Sequence, residues 1–168
     1  MPFGIYDKGT ENEKITWDLN IKFMKELTLE AKKYGVTVCV ENMPMHNFSI
    51  AKPKDVLKLV KTINDDNFKI CLDTGHVSVF PDLSIGDEVR ALGKEIRTLH
   101  VHDNRFEMDL HLPPFYGVIN WADFAKALGD IDFDGVFSLE TLPPSNLADD
   151  IFETLCIQLY RIADGIIN

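Results

Sequence analysis

Four short apolar segments, each ending in a carboxylate or an imidazole, constrain the fold of this 168-residue sequence more than any other feature. Their β-branched and apolar composition predicts four strands, with helical periodicity in the segments between them. Successive strand ends lie 32, 29 and 38 residues apart, about the length of one strand–helix unit. Alternating strands and helices of this length predict a parallel α/β sheet with right-handed crossovers. The predicted strands are 36–41, 68–73, 96–102 and 135–140.

The spacing of apolar residues and the capping residues predict five helices. Thr16 is a candidate N-cap for the first, in which Leu19, Phe23 and Leu27 recur at every fourth position. Pro53 suits the first turn of the second helix, because its missing N–H needs no partner there. The residues before position 15 are expected to form a loop. The predicted helices are 16–34, 53–63, 84–94, 121–128 and 147–164.

The two faces of the predicted strands differ in character. Because side chains two residues apart point the same way, each strand has one apolar face and one small or polar face that ends in a metal-competent side chain. A central strand of a doubly wound sheet would be apolar on both faces, whereas a barrel strand packs one face on helices and turns the other inward. We therefore predict a TIM-barrel-like sheet. The predicted interior pairs are Cys39 and Glu41, Cys71 and Asp73, His100 and His102, and Ser138 and Glu140.

Glu41, Asp73, His102 and Glu140 are then expected to converge at the carboxyl ends of the strands, where α/β barrels carry their active sites. Three neighbouring carboxylates would repel one another, and a divalent cation resolves that repulsion. Oxygen-rich ligation with one nitrogen suits Mn²⁺ or Mg²⁺, with Co²⁺ or Zn²⁺ as alternatives. Taken singly, each of these residues is more often a turn former, a helix cap or a satisfied polar group.

Composition argues against several classes of function. The formal net charge is −10, so an acidic phosphate backbone is a disfavoured partner and no nucleic acid is expected. The three cysteines are an odd number within apolar runs, which predicts reduced thiols in a cytoplasmic protein. No run approaches the ~18 apolar residues of a membrane helix, and the first residues do not read as a signal peptide, so no membrane partner is expected.

Several short motifs resemble those of the xylose isomerase-like TIM barrels. The resemblance covers about residues 26–141. That group includes sugar phosphate isomerases and epimerases, ketose 3-epimerases, hydroxypyruvate isomerase, inosose dehydratase and AP endonucleases of the three-zinc type. The motifs are Val40-Glu41-Asn42-Met43-Pro44, Leu72-Asp73-Thr74-Gly75-His76, His100-Val101-His102-Asp103-Asn104, Ser138-Leu139-Glu140, and Gly117-x-Ile119-x-Trp121 after Asp109-Leu110-His111-Leu112-Pro113.

By this resemblance, Glu41, Asp73, His102 and Glu140 correspond to four metal ligands, and Glu41 and Glu140 also form a catalytic acid/base pair. Such a site would stabilise the enediolate left when a proton is removed beside a carbonyl. Two carboxylates on opposite sides could return that proton to the other face or to the neighbouring carbon. The expected activity is that of a metal-dependent sugar or sugar-phosphate isomerase or epimerase.

The resemblance also implies residues that contact other ligands. We predict that Asn42, His76 and His100 contact the small-molecule substrate. In the endonuclease branch, residues at the positions of His76, Asp109 and His111 bind additional zinc, so Asp109 and His111 are candidate ligands for a further metal ion.

The sequence is shorter than a complete barrel, which needs eight strands and about 250 residues. The four predicted strands match the carboxyl-terminal half of the family, so residues 1–168 are expected to form a single partial barrel domain. Our interpretation is a fragment or truncated gene product that lacks the amino-terminal half. The alternative is a homodimer in which two copies pair into a four-plus-four barrel.

Three functional hypotheses remain open at this point. The first is the sugar isomerase or epimerase, and the second is a metal-dependent phosphodiesterase of the AP endonuclease type. The third is a catalytically incomplete fragment that keeps the metal site. The sequence does not distinguish isomerisation from epimerisation, nor does it identify the sugar, its phosphorylation or the metal.

Overall fold

The structure is a computed structural model that describes residues 9–106, 108–142 and 144–167. Strands and helices alternate along the chain, as the periodicity predicts. The elements are α1 (Glu11–Lys32), β1 (Val38–Glu41), α2 (Pro53–Ile63), β2 (Phe68–Asp73), α3 (Thr74–Ser78), α4 (Ile85–Leu92), a 3-10 turn (Gly93–Glu95), β3 (Ile96–Val101), α5 (Trp121–Asp130), β4 (Val136–Leu139) and α6 (Asp149–Ile167).

The four strands form one parallel sheet in the order β1-β2-β3-β4. The register places Glu41 beside Cys71, Asp73 beside His100, and His100 beside Ser138. Parallel strands that follow one another in sequence order, each connected through a helix, are the arrangement of a barrel segment. The predicted α/β partial barrel is therefore confirmed, with β1 and β4 as the edges of the sheet.

The apolar face of the sheet packs against the helices. Ile70, Leu72, Leu99 and Val101 are fully buried and form one cluster with apolar residues of α2, α4 and α5. Burying an aliphatic side chain of this size stabilises the fold by about 1.5–3 kcal/mol. The hydrophobic core therefore lies between the sheet and its helices, on the side predicted from the alternation.

The opposite face of the sheet is polar. Cys71 and Asp73 are buried at its centre, whereas Cys39 and His100 are half-buried and Ser138 is exposed towards the edges. All three cysteines of the chain are free thiols. This face is the interior of a barrel, and its strands carry the predicted site residues to one end of the sheet.

Helix α1 differs from its prediction in two respects. It begins at Glu11, so the first helical turn lies in the segment predicted as a loop. Its buried residues are Asn20, Met24 and Thr28, whereas the apolar stripe predicted from the sequence lies on the outer side. The exposed stripe consists of Leu19 (59% exposed), Phe23 (47%) and Leu27 (40%).

The remaining differences are small. The strands β1, β3 and β4 are one or two residues shorter than predicted, and α3 is a short helix where the sequence predicted only a break. Within the described part of the chain, no helix combines the length and apolar character that a membrane crossing requires.

Candidate metal centre

Four side chains meet at the carboxyl ends of the strands, and we name them the carboxylate-rich group: Glu41, Asp73, His100 and Glu140. One ligand atom from each lies within 4.8 Å of the others. Glu41 ends β1, Asp73 ends β2, His100 lies in β3, and Glu140 follows β4 directly. Because the strands are parallel and in register, the sheet itself brings these residues together.

The histidine of this group is His100, whereas the sequence predicted His102. His100 pairs in register with Asp73 of the neighbouring strand, so the two side chains share a face. His102 lies one residue beyond Val101, the last residue of β3, where strand alternation no longer fixes the direction of a side chain. The prediction extended the alternation past the end of the strand, although the register with Asp73 singles out His100.

Two carboxylates compete for one ring nitrogen of His100. Its Nδ1 lies 3.0 Å from Glu41 Oε1 and 2.8 Å from Glu140 Oε2. One ring nitrogen donates one hydrogen, and the buried Glu140 Oε2 makes no hydrogen bond. Hydrogen bonds with Cys71 and with Glu41 raise the pKa of His100 to about 11. A divalent cation would match the excess carboxylate charge, so these residues fit an oxygen-rich site with one nitrogen ligand.

Asp73 is fully buried and firmly held. Burial alone would raise the pKa of Asp73, but the hydrogen bond from His102 and the charges of His76 and His102 outweigh burial and lower the pKa. Asp73 Oδ1 also accepts a hydrogen bond of 2.7 Å from the backbone N–H of His76, which caps helix α3. The site therefore presents this carboxylate ionised and in one orientation.

Asn42 is the residue that ties the ends of β1 and β2 together. Its side chain is fully buried, with Oδ1 accepting from Asp73 N at 2.8 Å and Nδ2 donating to Asp73 O at 3.1 Å. Both ends of the amide are thus used on the backbone of a candidate ligand. This placement favours a positioning role for Asn42 over the predicted contact with substrate.

A second cluster lies next to the first, and we name it the histidine-rich group: His76, His102, Asp109 and His111. One ligand atom from each lies within 4.8 Å of the others. The rings of His102 and His111 stack with centroids 4.2 Å apart and planes inclined by 14°. The structure therefore brings together His76, Asp109 and His111, the positions predicted for additional metal, and adds His102 to them.

The hydrogen bonds of two histidines show why this group suits a cation. His76 Nδ1 lies 2.8 Å from the carbonyl oxygen of Asn42, and His111 Nδ1 lies 2.9 Å from that of Glu140. Because a carbonyl oxygen only accepts, Nδ1 carries the hydrogen, and Nε2 of each neutral ring presents a lone pair. Both Nε2 atoms face Asp109 Oδ2, at 3.2 and 3.3 Å. Nitrogen lone pairs and a carboxylate repel one another at these distances, so a proton or a metal ion must lie between them. A metal site rich in nitrogen ligands suits zinc.

A parallel sheet with carboxylates and imidazoles at its strand ends is the active-site architecture of α/β barrels. The chain belongs to the xylose isomerase-like TIM barrel family, whose sequence model matches residues 2–156. A curated relative, D-psicose 3-epimerase from Ruminiclostridium cellulolyticum, is 28% identical over 132 residues, which cover 78% of this chain and 43% of the relative. A probable endonuclease 4 from Mycoplasmopsis synoviae is 28% identical over 128 residues, covering 68% and 46%.

A solved structure gives the same result at the level of the fold. A D-tagatose 3-epimerase-like protein superposes with a TM-score of 0.73 at 26% identity, covering 98% of this chain and 62% of that chain. The two curated relatives are matched over less than half of their own length. The chain therefore corresponds to part of a barrel whose relatives include both sugar epimerases and an endonuclease.

Proposed function

We propose that this chain carries the metal site and the acid/base residues of a sugar or sugar-phosphate epimerase or isomerase. The observation that carries the proposal is the placement of Glu41 and Glu140. Glu41 ends β1 and Glu140 directly follows β4, the two edge strands of the sheet, and both carboxylates lie within 3.0 Å of His100 Nδ1. A small ketose is the proposed substrate. The similarity to a D-psicose 3-epimerase and to a D-tagatose 3-epimerase-like protein supports this choice.

The two glutamates can divide the work of moving a proton. A bound divalent ion, Mn²⁺ or Mg²⁺ by the ligand set, would polarise the sugar carbonyl and ease removal of the proton beside it. Glu41 or Glu140 would remove that proton, and the other would return one from the opposite side, which inverts the carbon. Return to the neighbouring carbon would give isomerisation instead. Asp73 and His100 complete the ligand set, and His76 lies beside it, with Nδ1 3.7 Å from both Glu41 Oε1 and Asp73 Oδ1.

The test is proton exchange with solvent. The Mn²⁺-loaded protein is incubated with D-psicose in D₂O, and deuterium at the carbon next to the carbonyl is followed by NMR. Glu41→Gln and Glu140→Gln should each slow incorporation by about 10²–10⁴-fold, the usual contribution of a general acid or base. Glu30→Gln is the matched control, because Glu30 lies on α1, away from the site, and forms an exposed ion pair with Lys33. Exchange that persists at the wild-type rate in both glutamine variants would remove this mechanism.

The histidine-rich group favours a second candidate, a metal-dependent phosphodiesterase of the AP endonuclease type. Asp109 and the Nε2 lone pairs of His76 and His111 would supply a second cation site, and the probable endonuclease 4 among the relatives supports this reading. The net charge of −10 opposes it, because an acidic surface repels a phosphate backbone. Cleavage of an oligonucleotide with an abasic site by the zinc-loaded protein, without exchange into D-psicose, would select this function.

The third reading is that the chain holds metal but lacks the rest of the substrate pocket. It predicts tight metal binding with neither proton exchange nor strand cleavage. Metal stoichiometry and the two activity assays together separate all three readings.

A further inference from the structure

The carboxylate of Asp103, one residue after His102, is fully buried and accepts four hydrogen bonds. Oδ1 accepts from the backbone N–H of Asn104 at 2.9 Å and of Ile119 at 3.1 Å. Oδ2 accepts from the backbone N–H of Phe115 at 3.1 Å and from the indole Nε1–H of Trp121 at 2.9 Å. A buried carboxylate needs such partners, and these come from three points of the loop between β3 and α5 and from the first residue of α5.

This arrangement explains a motif that the site itself does not use. In the Gly117-x-Ile119-x-Trp121 stretch, the alternate residues all turn towards Asp103. Ile119 and Trp121 each donate a hydrogen bond to it. Gly117 passes so close that a Cβ there would lie 2.2 Å from Asp103 Oδ1 and 2.2 Å from the carbonyl oxygen of Asn104. The motif therefore forms the binding pocket of the Asp103 carboxylate.

The same residue holds the part of the loop that carries the histidine-rich group. The backbone of Asp103 pairs with Leu112 through hydrogen bonds of 2.7 and 2.9 Å. His111, the neighbour of Leu112, has φ +48°, a left-handed conformation that costs about 1–3 kcal/mol outside glycine and persists only where its surroundings enforce it. The loop is thus clamped immediately beside a strained metal-competent histidine.

We propose that Asp103 is a positioning residue that folds the loop back onto β3 and so sets Asp109 and His111 opposite His76. The clamp stands on the hydrogen bonds alone; its use in metal binding rests on the histidine-rich group proposed above. The four hydrogen bonds of the Asp103 carboxylate go to the loop and to Trp121, so this carboxylate acts through the loop.

Asp103→Asn tests this positioning role. The amide replaces one carboxylate oxygen with an NH₂ group, which cannot accept the hydrogen bonds that the carboxylate accepts. Amide hydrogen exchange of the metal-free protein should show at least 10-fold faster exchange at Leu112 and Ile119, with α5 unchanged. The Nε2 resonance of His111 should also shift, because its contact with Asp109 is lost. Zn²⁺ affinity of the histidine-rich group should fall at least 10-fold, while Mn²⁺ affinity of the carboxylate-rich group stays within 2-fold. Asp134→Asn is the control, since Asp134 is exposed and pairs with Arg97.

The possible results separate the clamp from the proposed function. Loss of loop protection with a selective loss of Zn²⁺ affinity supports the inference. Unchanged protection, or equal loss of both ions, overturns it. If wild type binds no Zn²⁺ there, the second metal site is refuted, and the His111 resonance in the variant still decides the clamp. If Asp103→Asn does not fold, Trp121→Phe removes one donor alone, and unchanged exchange at Ile119 in that variant would also overturn the inference.

Discussion

Gly75→Ala adds one methyl group next to the contact between His102 of the histidine-rich group and Asp73 of the carboxylate-rich group. A Cβ at Gly75 would lie 1.9 Å from Cε1 of His102, whose side chain is fully buried. The imidazole would have to retreat by roughly 1.5 Å to reach ordinary van der Waals contact, which breaks its 3.0 Å contact with Asp73. Overpacking of this kind costs about 1–3 kcal/mol, and loss of a hydrogen bond to a charged group costs about 1.5–3 kcal/mol. Replacing a glycine in a helix with alanine stabilises the fold by about 0.5–1 kcal/mol, which offsets part of this cost.

The net expectation is that Gly75→Ala lowers the free energy of unfolding by roughly 2–5 kcal/mol. Urea unfolding of the metal-free protein measures this, provided the m-value is unchanged. The matched control is Gly129→Ala in α5, where a Cβ meets nothing within 4 Å and a gain of about 0.5–1 kcal/mol is expected. Equal midpoints for the two variants would refute the packing of His102 against Gly75.

Two further predictions concern the core and an ion-pair network. Leu99→Ala should lower the free energy of unfolding by about 2–5 kcal/mol because Leu99 is fully buried, whereas Leu19→Ala on the outer side of α1 should change it by less than about 0.5 kcal/mol. Equal shifts in the thermal midpoint would contradict the assignment of the two faces. Hydrogen bonds from Lys61 and Lys69 lower the pKa of Glu95, so its contribution is present at neutral pH and is lost as the pH falls through that lowered pKa. Glu95→Gln should therefore cost less than about 1 kcal/mol at pH 7 and nothing in acid below that pKa; a cost that grows on acidification would contradict the sign.

Local signals account for the elements that the sequence predicted well. Strand β2 has its predicted bounds because its apolar residues, Phe68, Ile70, Cys71 and Leu72, run up to Asp73, whose carboxylate caps the next helix. Helix α2 starts at Pro53 and ends before Asn64, which adopts the left-handed conformation of a helix C-cap. In both cases, the residues that end the element act on their immediate neighbours, so the sequence alone contains the information.

Tertiary packing decides what the sequence left unresolved. The apolar stripe of α1 is regular, yet the helix buries Asn20 and Thr28 instead, because α2 and β1 pack against its other side. The choice between His100 and His102 depends on where β3 ends and on its register with Asp73. The four bonds of Asp103 depend on a loop conformation that periodicity does not describe.

Mn²⁺ titration tests whether the four side chains of the carboxylate-rich group share one ion. Electron paramagnetic resonance can follow free Mn²⁺ in titrations of the wild type, His100→Gln and His46→Gln, a control on an exposed histidine. We predict that His100→Gln weakens Mn²⁺ binding at least 10-fold while His46→Gln leaves it unchanged. Wild-type affinity in the His100→Gln variant would show that these four side chains do not share an ion.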